Sequence, residues 1–376
     1  MQINNRLSSD IIVLQIIISN LLIFYYPVFS TYTIYAVYFN SAMVVLTIIF
    51  NRNMQKWTII FLPITLIYMF ISISINNGGF GSVLTYAVSM LALEMICYLD
   101  FSEKQEHTLH CFMALCILLL IFASIKYTVN FKFYEYHDVN PNTIGEWVLY
   151  AFCIFICTTQ TTKKRRIIVN LALLVVAITT LMNVESRGAL ISLVSFCILS
   201  ILPTRIFKQK LVLIMVCIIT ALGIAFPFFY LGLYSRGFDL AFLNKTLFTG
   251  RQGLWIRALG YFSQTPSGWY VGLGSKVELW DAATNVHNSY FGMIINFGIV
   301  GMILYFVFIS KFVLRVSIFC SVDPAIKNWF CMFISTNLVL GFTETSVFWS
   351  VIFILANLGL GRAYNLSLQY EKNYDT

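Results

Sequence analysis

From residue 11 onward the chain returns repeatedly to unbroken apolar runs separated by short polar breaks. Runs of roughly 17–25 residues are what an α-helix needs to cross a ~30 Å hydrocarbon core. They are continuous rather than alternating, so they read as helices and not as barrel strands. About twelve spans are expected: Ile11–Phe29, Thr31–Phe50, Trp57–Ile75, Ser82–Leu99, Thr108–Val129, Asn142–Thr159, Ile167–Val184, Gly188–Leu202, Leu211–Tyr230, His287–Phe312, Asn328–Phe342 and Ser346–Leu360. With 59% apolar and 11% charged residues, the excess must face lipid. The expected fold is therefore all-α, a polytopic membrane helical bundle forming one domain over residues 1–376. A large, partly helical outer loop, 231–286, joins the ninth and tenth spans and is far longer than a typical helix connection. No small-residue cleavage site follows the first apolar run, so that run is expected to stay in the membrane.

Basic residues set the orientation, because they are held back on the cytoplasmic side during insertion. With both termini inside, the outer side carries only Lys126, Lys132, Arg187, Arg236, Lys245, Arg251, Arg257 and Lys276 of the 24 basic residues. The inner set is denser and includes the run Lys163-Lys164-Arg165-Arg166. The net charge of +8 is thus a topological signal and not a nucleic-acid footprint. All 9 cysteines fall in spans or inner loops on this map, which argues against a disulfide framework and against a cysteine metal site.

The outer basic residues carry the chemistry. Arg187 opens a span in Glu185-Ser186-Arg187-Gly188, where a cation opposes the helix dipole by about 0.3–1 kcal/mol. Pairing with Glu185, snorkelling to headgroups and anion binding all answer that cost. Arg251 repeats the pattern, because Thr249-Gly250-Arg251-Gln252 has the spacing of a capping box and places Arg251 in the first turn of a helix through Trp255. Free backbone N–H groups beside a guanidinium suit a phosphate or diphosphate; a solvated surface arginine is the plainer alternative. Arg257 lies nearly on the opposite face and, like Arg236, ranks lower.

His287 opens the tenth span in His287-Asn288-Ser289-Tyr290. An imidazole at the membrane rim suits a general base for a sugar hydroxyl if a partner fixes its tautomer, and a plain cap is the alternative. Gly272 and Gly274 permit tight turns or close approach to a ligand. Trp255, Trp269, Tyr270 and Trp280 offer stacking faces for sugars, or an interfacial aromatic belt. His137 and Asp138 precede Pro141 and Asn142, where a turn and cap compete with an acid–base role.

The order Asn140-Pro141-Asn142, Ser186-Arg187-Gly188, Gly250-Arg251 with Trp255, Gly272-x-Gly274, then His287-Asn288-x-Tyr290 with Gly298 and Gly301 resembles the O-antigen ligase and polymerase superfamily. The resemblance covers most of the chain, including the large outer loop. It implies a metal-independent, cofactor-free glycosyltransferase at the outer face of the bacterial cytoplasmic membrane. The implied donor is an undecaprenyl diphosphate-linked glycan, and the acceptor a lipid-linked repeat unit for a polymerase or lipid A-core for a ligase. A chain-length regulator is a further compatible partner. By the same resemblance Arg187 and Arg251 bind the donor diphosphate and His287 activates or positions the acceptor hydroxyl. Arg257, Gly272, Gly274, Trp255, Asn288, Tyr290 and Asn142 are expected to line the substrate site.

The compact chain favours the polymerase. A flippase for lipid-linked oligosaccharide is the alternative from another class, but it would carry ionisable groups near the midplane and repeated halves. A non-catalytic scaffold would tolerate substitution of Arg251 and His287.

Overall fold

The computed structural model describes residues 9–19, 38–49, 54–78, 80–129, 141–158, 164–238, 241–242, 245–246, 251–274, 286–344 and 353–374. Among the described residues, helices overlap each of the expected spans, the first two and the last only in part: α1 (Ser9–Ser19), α2 (Tyr38–Ile49), α3 (Lys56–Ile75), α4 (Phe80–Ile96), α5 (Glu103–Val129), α6 (Pro141–Cys157), α7 (Lys164–Asn183), α8 (Arg187–Ile201), α9 (Gln209–Tyr234), α12 (Ser289–Phe319), α13 (Pro324–Phe333) and α14 (Phe353–Tyr374). Five segments are long and apolar enough to cross a membrane by length and composition: Lys56–Ile75, Glu103–Phe122, Gln209–Tyr234, Ser289–Phe319 and Pro324–Phe342. Their outward faces carry exposed Ile60, Ile67, Phe122, Ile214 and Ile303. Apolar surface on that scale is stable against lipid and not against water. The chain is a multi-pass membrane protein.

Between α9 and α12 lie a two-residue antiparallel pair, β1 (Ala241–Phe242) with β2 (Lys245–Thr246), then α10 (Arg251–Gln264) and α11 (Gly268–Val271). Arg251 is the first residue of α10; Thr249 of the expected capping box lies outside the described residues.

The most enclosed helix among the five spanning candidates is the one beginning with α13, followed by α12. α12 packs against α3, α9, α11 and α14, while α14 lies against α4 and α13. Asn288 caps α12, its side-chain oxygen accepting from Phe291 N at 2.7 Å. The helix therefore starts at Ser289, two residues after the expected His287. It runs to Phe319 but breaks at Gly298, whose φ of 67° is left-handed. A Cβ there would stand 2.1 Å from Tyr270 O, so only glycine lets α11 lie against the break. Tyr68 Oη lies 2.7 Å from Tyr270 O and 2.9 Å from Phe297 O, its one proton shared between a carbonyl of α11 and one that the break in α12 leaves open.

Asp323 caps α13 with Pro324 at its first position. α13 passes into a π-helical turn, Ile334–Val339, and a 3-10 turn, Leu340–Phe342. Residues 346–352 of the last expected span, Ser346–Leu360, lie outside the described residues; the rest of it overlaps α14, which runs on past Leu360 to Tyr374. Its polar second half is held by partners at the far end of the bundle, Arg362 pairing with Glu106 at 2.5 Å and Arg315 with Glu371 at 2.5 Å.

Candidate active site

Four helices begin at one end of the bundle, and their first turns meet there. α6 enters at Pro141, α8 at Arg187, α10 at Arg251 and α12 at Ser289. The closeness of α6 to α8 depends on Gly145: a Cβ at that position would lie 2.1 Å from Ser186 Oγ. Gly188 does the same for the segment after the 3-10 turn, since its Cβ would lie 2.1 Å from Thr343 Oγ1.

Thr343 is followed by Glu344, a residue the sequence reading did not single out, and it is the hub of the site. Arg251 Nη2 donates to Glu344 Oε1 at 2.5 Å, and His287 Nδ1 lies 3.0 Å from Glu344 Oε2. Both side chains are largely enclosed, 14% exposed for Arg251 and 7% for Glu344. Burial pushes the Glu344 carboxyl up, but Arg251 together with the hydrogen bond and charge of His287 outweighs it, holding the group below its ordinary value. An ionised carboxylate only accepts, so Nδ1 of His287 is the donor. The neutral ring then carries its lone pair on Nε2, the tautomer a general base requires.

The backbone around this hub is strained. His287 has φ 49° and Glu185 φ 53°, two of the three left-handed non-glycine residues among those described. Such positions cost about 1–3 kcal/mol each and persist where the surroundings hold them. For His287 the hold comes from both sides. Trp255, fully buried, donates from Nε1 to Val286 O at 2.8 Å, while Asn288 Nδ2 donates to Phe342 O at 3.0 Å and Ser289 Oγ to Glu344 O at 2.8 Å.

Arg187 stands beside these groups. Burial pulls its guanidinium down from the ordinary arginine value, Glu185 opposes that shift, and the like charge of Arg251 adds to it. Two guanidiniums that act on each other at the starts of two helices have the chemistry to take a multivalent anion.

The structure thus brings Arg187, Arg251 and His287 together and adds Glu344. The other expected residues stand as follows. Trp255 is enclosed, and it positions His287 rather than offering a face to a sugar. Asn288 is the α12 cap, and Tyr290 is buried with its hydroxyl donating to Leu338 O at 2.8 Å. Gly272 and Gly274 serve packing: Leu273 N and Gly274 N donate to Ile295 O at 2.6 and 3.1 Å, and a Cβ on Gly272 would meet Asn296 O at 2.5 Å. Arg257 and Arg236 are exposed. Asn142 lies in the first turn of α6, half-buried. Trp269 stacks on Phe262 at 4.1 Å, and Tyr270 is exposed. His137, Asp138 and Trp280 lie outside the described residues.

Residues 172–306 match the family described as O-antigen ligase. The matched segment contains Arg187, Arg251 and His287, and it supports the O-antigen ligase and polymerase superfamily that the order of motifs resembles. The O-antigen ligase family segment stops short of Glu344 and begins after α6, so two walls of the site lie outside it. No curated protein matches the chain.

Proposed function

We propose that the chain is a metal-independent membrane glycosyltransferase of surface-polysaccharide assembly. It transfers a glycan from undecaprenyl diphosphate to a lipid-linked repeat unit at the outer face of the bacterial cytoplasmic membrane, as a polymerase does. The single observation that carries this reading is the Arg251–Glu344–His287 bridge with Arg187 beside it. Arg187 and Arg251 would bind the diphosphate and stabilise the charge that grows on it as the sugar departs. His287, its Nδ1 proton directed at Glu344, would take the proton of the acceptor hydroxyl. The denser basic residues toward the opposite end, among them Lys311, Arg315, Lys327 and Arg362, support an inner placement of that end and both termini.

A ligase reading, with transfer to lipid A-core, accords equally with the O-antigen ligase family that residues 172–306 match. Both reactions use the same donor chemistry, so one experiment tests the step and a second the branch. Arg187→Ala, Arg251→Ala or His287→Ala in a deletion strain is expected to abolish long surface chains on a gel at normal protein level. Removing one such transition-state contact typically costs about 100- to 1,000-fold. Unchanged chain lengths would refute the assignment. Deleting a polymerase leaves single repeats on the acceptor, whereas deleting a ligase leaves polymer on the lipid carrier.

A further inference from the structure

Ionisable side chains inside an apolar helix are costly and are retained for a reason. In this protein most have an evident one. Glu94 of α4 accepts from Gln55 N at 2.6 Å and from Thr58 Oγ1 at 2.7 Å, tying down the start of α3. Lys327 donates to Ser200 O and Leu202 O at 2.6 and 2.9 Å, closing the end of α8. Arg362 is paired with Glu106.

Glu146 of α6 is different. It is 5% exposed, yet its Oε2 is buried without a hydrogen-bond partner among the described residues. The charged groups that act on it are Glu344 and Arg251, which places it at the hub. Gly145 presses the same turn of α6 against Ser186, directly before Arg187. A buried polar oxygen left open is expensive, and the Arg251–Glu344 pair is complete without it.

We infer that Glu146 is a substrate-contacting residue, whose open carboxyl oxygen accepts a hydrogen bond from a hydroxyl or amide N–H of the sugar attached to the diphosphate. The inference rests on the proposed function and names the donor sugar as a further recognised part. The geometry follows from chemistry: with the diphosphate on Arg251, the polar groups closest to it belong to the first sugar, and Glu146 is the neighbouring acceptor. No bond is made or broken by Glu146; it orients the sugar.

The test uses the detergent-solubilised full chain and, as probes, undecaprenyl diphosphate carrying its native repeat unit and undecaprenyl diphosphate alone. Glu146→Ala is expected to weaken binding of the glycan-bearing lipid by about 5- to 100-fold, the loss of a hydrogen bond made in a buried site. Binding of the bare lipid diphosphate is expected to stay within about threefold, because Arg187 and Arg251 remain. Glu146→Gln keeps an acceptor oxygen and is expected to retain most of the affinity for the glycan-bearing lipid, which serves as the folding control. Equal weakening of both probes by Glu146→Ala would make Glu146 a support for Arg251 and overturn the inference. So would wild-type binding of the glycan-bearing lipid by that variant. A wild-type chain that neither binds nor transfers from either lipid sinks the functional reading and this inference together.

Discussion

Replacing Glu344 with Gln keeps the size of the side chain and removes one charge at the point where Arg251 and His287 meet. The amide oxygen still accepts from Arg251 Nη2, which leaves the amide NH2 opposite His287 Nδ1. A donor facing Nδ1 moves the ring proton to Nε2, and that nitrogen can no longer receive a proton from a hydroxyl. General-base catalysis contributes about 100- to 10,000-fold, so kcat is expected to fall by at least about 100-fold. The stability cost is smaller. Breaking a buried ion pair outright costs about 3–5 kcal/mol, but Gln preserves one hydrogen bond to Arg251, so a loss of about 1–3 kcal/mol is expected. Transfer from purified lipid-linked donor gives kcat, and thermal unfolding in detergent gives stability. A folded Glu344→Gln protein with wild-type kcat would refute the role assigned to the His287–Glu344 contact.

The same bridge sets an acid limit on stability. Glu344 is held below its ordinary value of 4.5 in the folded protein, so its contribution is full above about pH 4.5 and is lost as pH falls through the lowered folded value. The melting-temperature gap between wild type and Glu344→Gln is expected to narrow as pH falls below about 4.5; a gap that holds or widens over that range contradicts this. Trp255→Phe removes the bond to Val286 O and is expected to cost about 1–3 kcal/mol by leaving that carbonyl unsatisfied. It should lower kcat more than it raises KM for the donor, and an unaltered kcat would detach Trp255 from His287. Gly145→Ala forces a Cβ to within 2.3 Å of Ser186 Cβ, so a loss of about 1–3 kcal/mol is expected in thermal melts. An undiminished melting temperature would show that α6 and α8 are not held as closely as described.

Helix positions were legible in the sequence because apolar length alone sets them. Arg187, Arg251 and His287 were legible because each stands where a cation or imidazole is out of place, at the start of a helix on the sparsely basic side. Glu344 was not, because it joins Arg251 from 93 residues away and His287 from 57, through turns that no periodicity signals. In sequence it reads as a loop residue between two spans. Glu146 carried a signal that went unused, a lone carboxyl within an apolar run. Gly272 and Gly274 suggested a ligand loop, whereas their left-handed backbone serves the contact between α11 and the break at Gly298. Glycine marks close approach in both cases, and sequence alone does not say to what.

The π turn at Ile334–Val339 sits between the anchored start of α13 and Glu344. A turn of this kind holds one residue more than ordinary helical winding would. A one-residue deletion within it can be taken up by rewinding to ordinary helix, with the residues downstream kept near their place. The same deletion after it, in the 3-10 turn Leu340–Phe342, has no such slack to draw on and carries the Glu344 carboxylate away from both of its partners. The residue count between the widened turn and the hub is therefore guarded more strictly than the count within it.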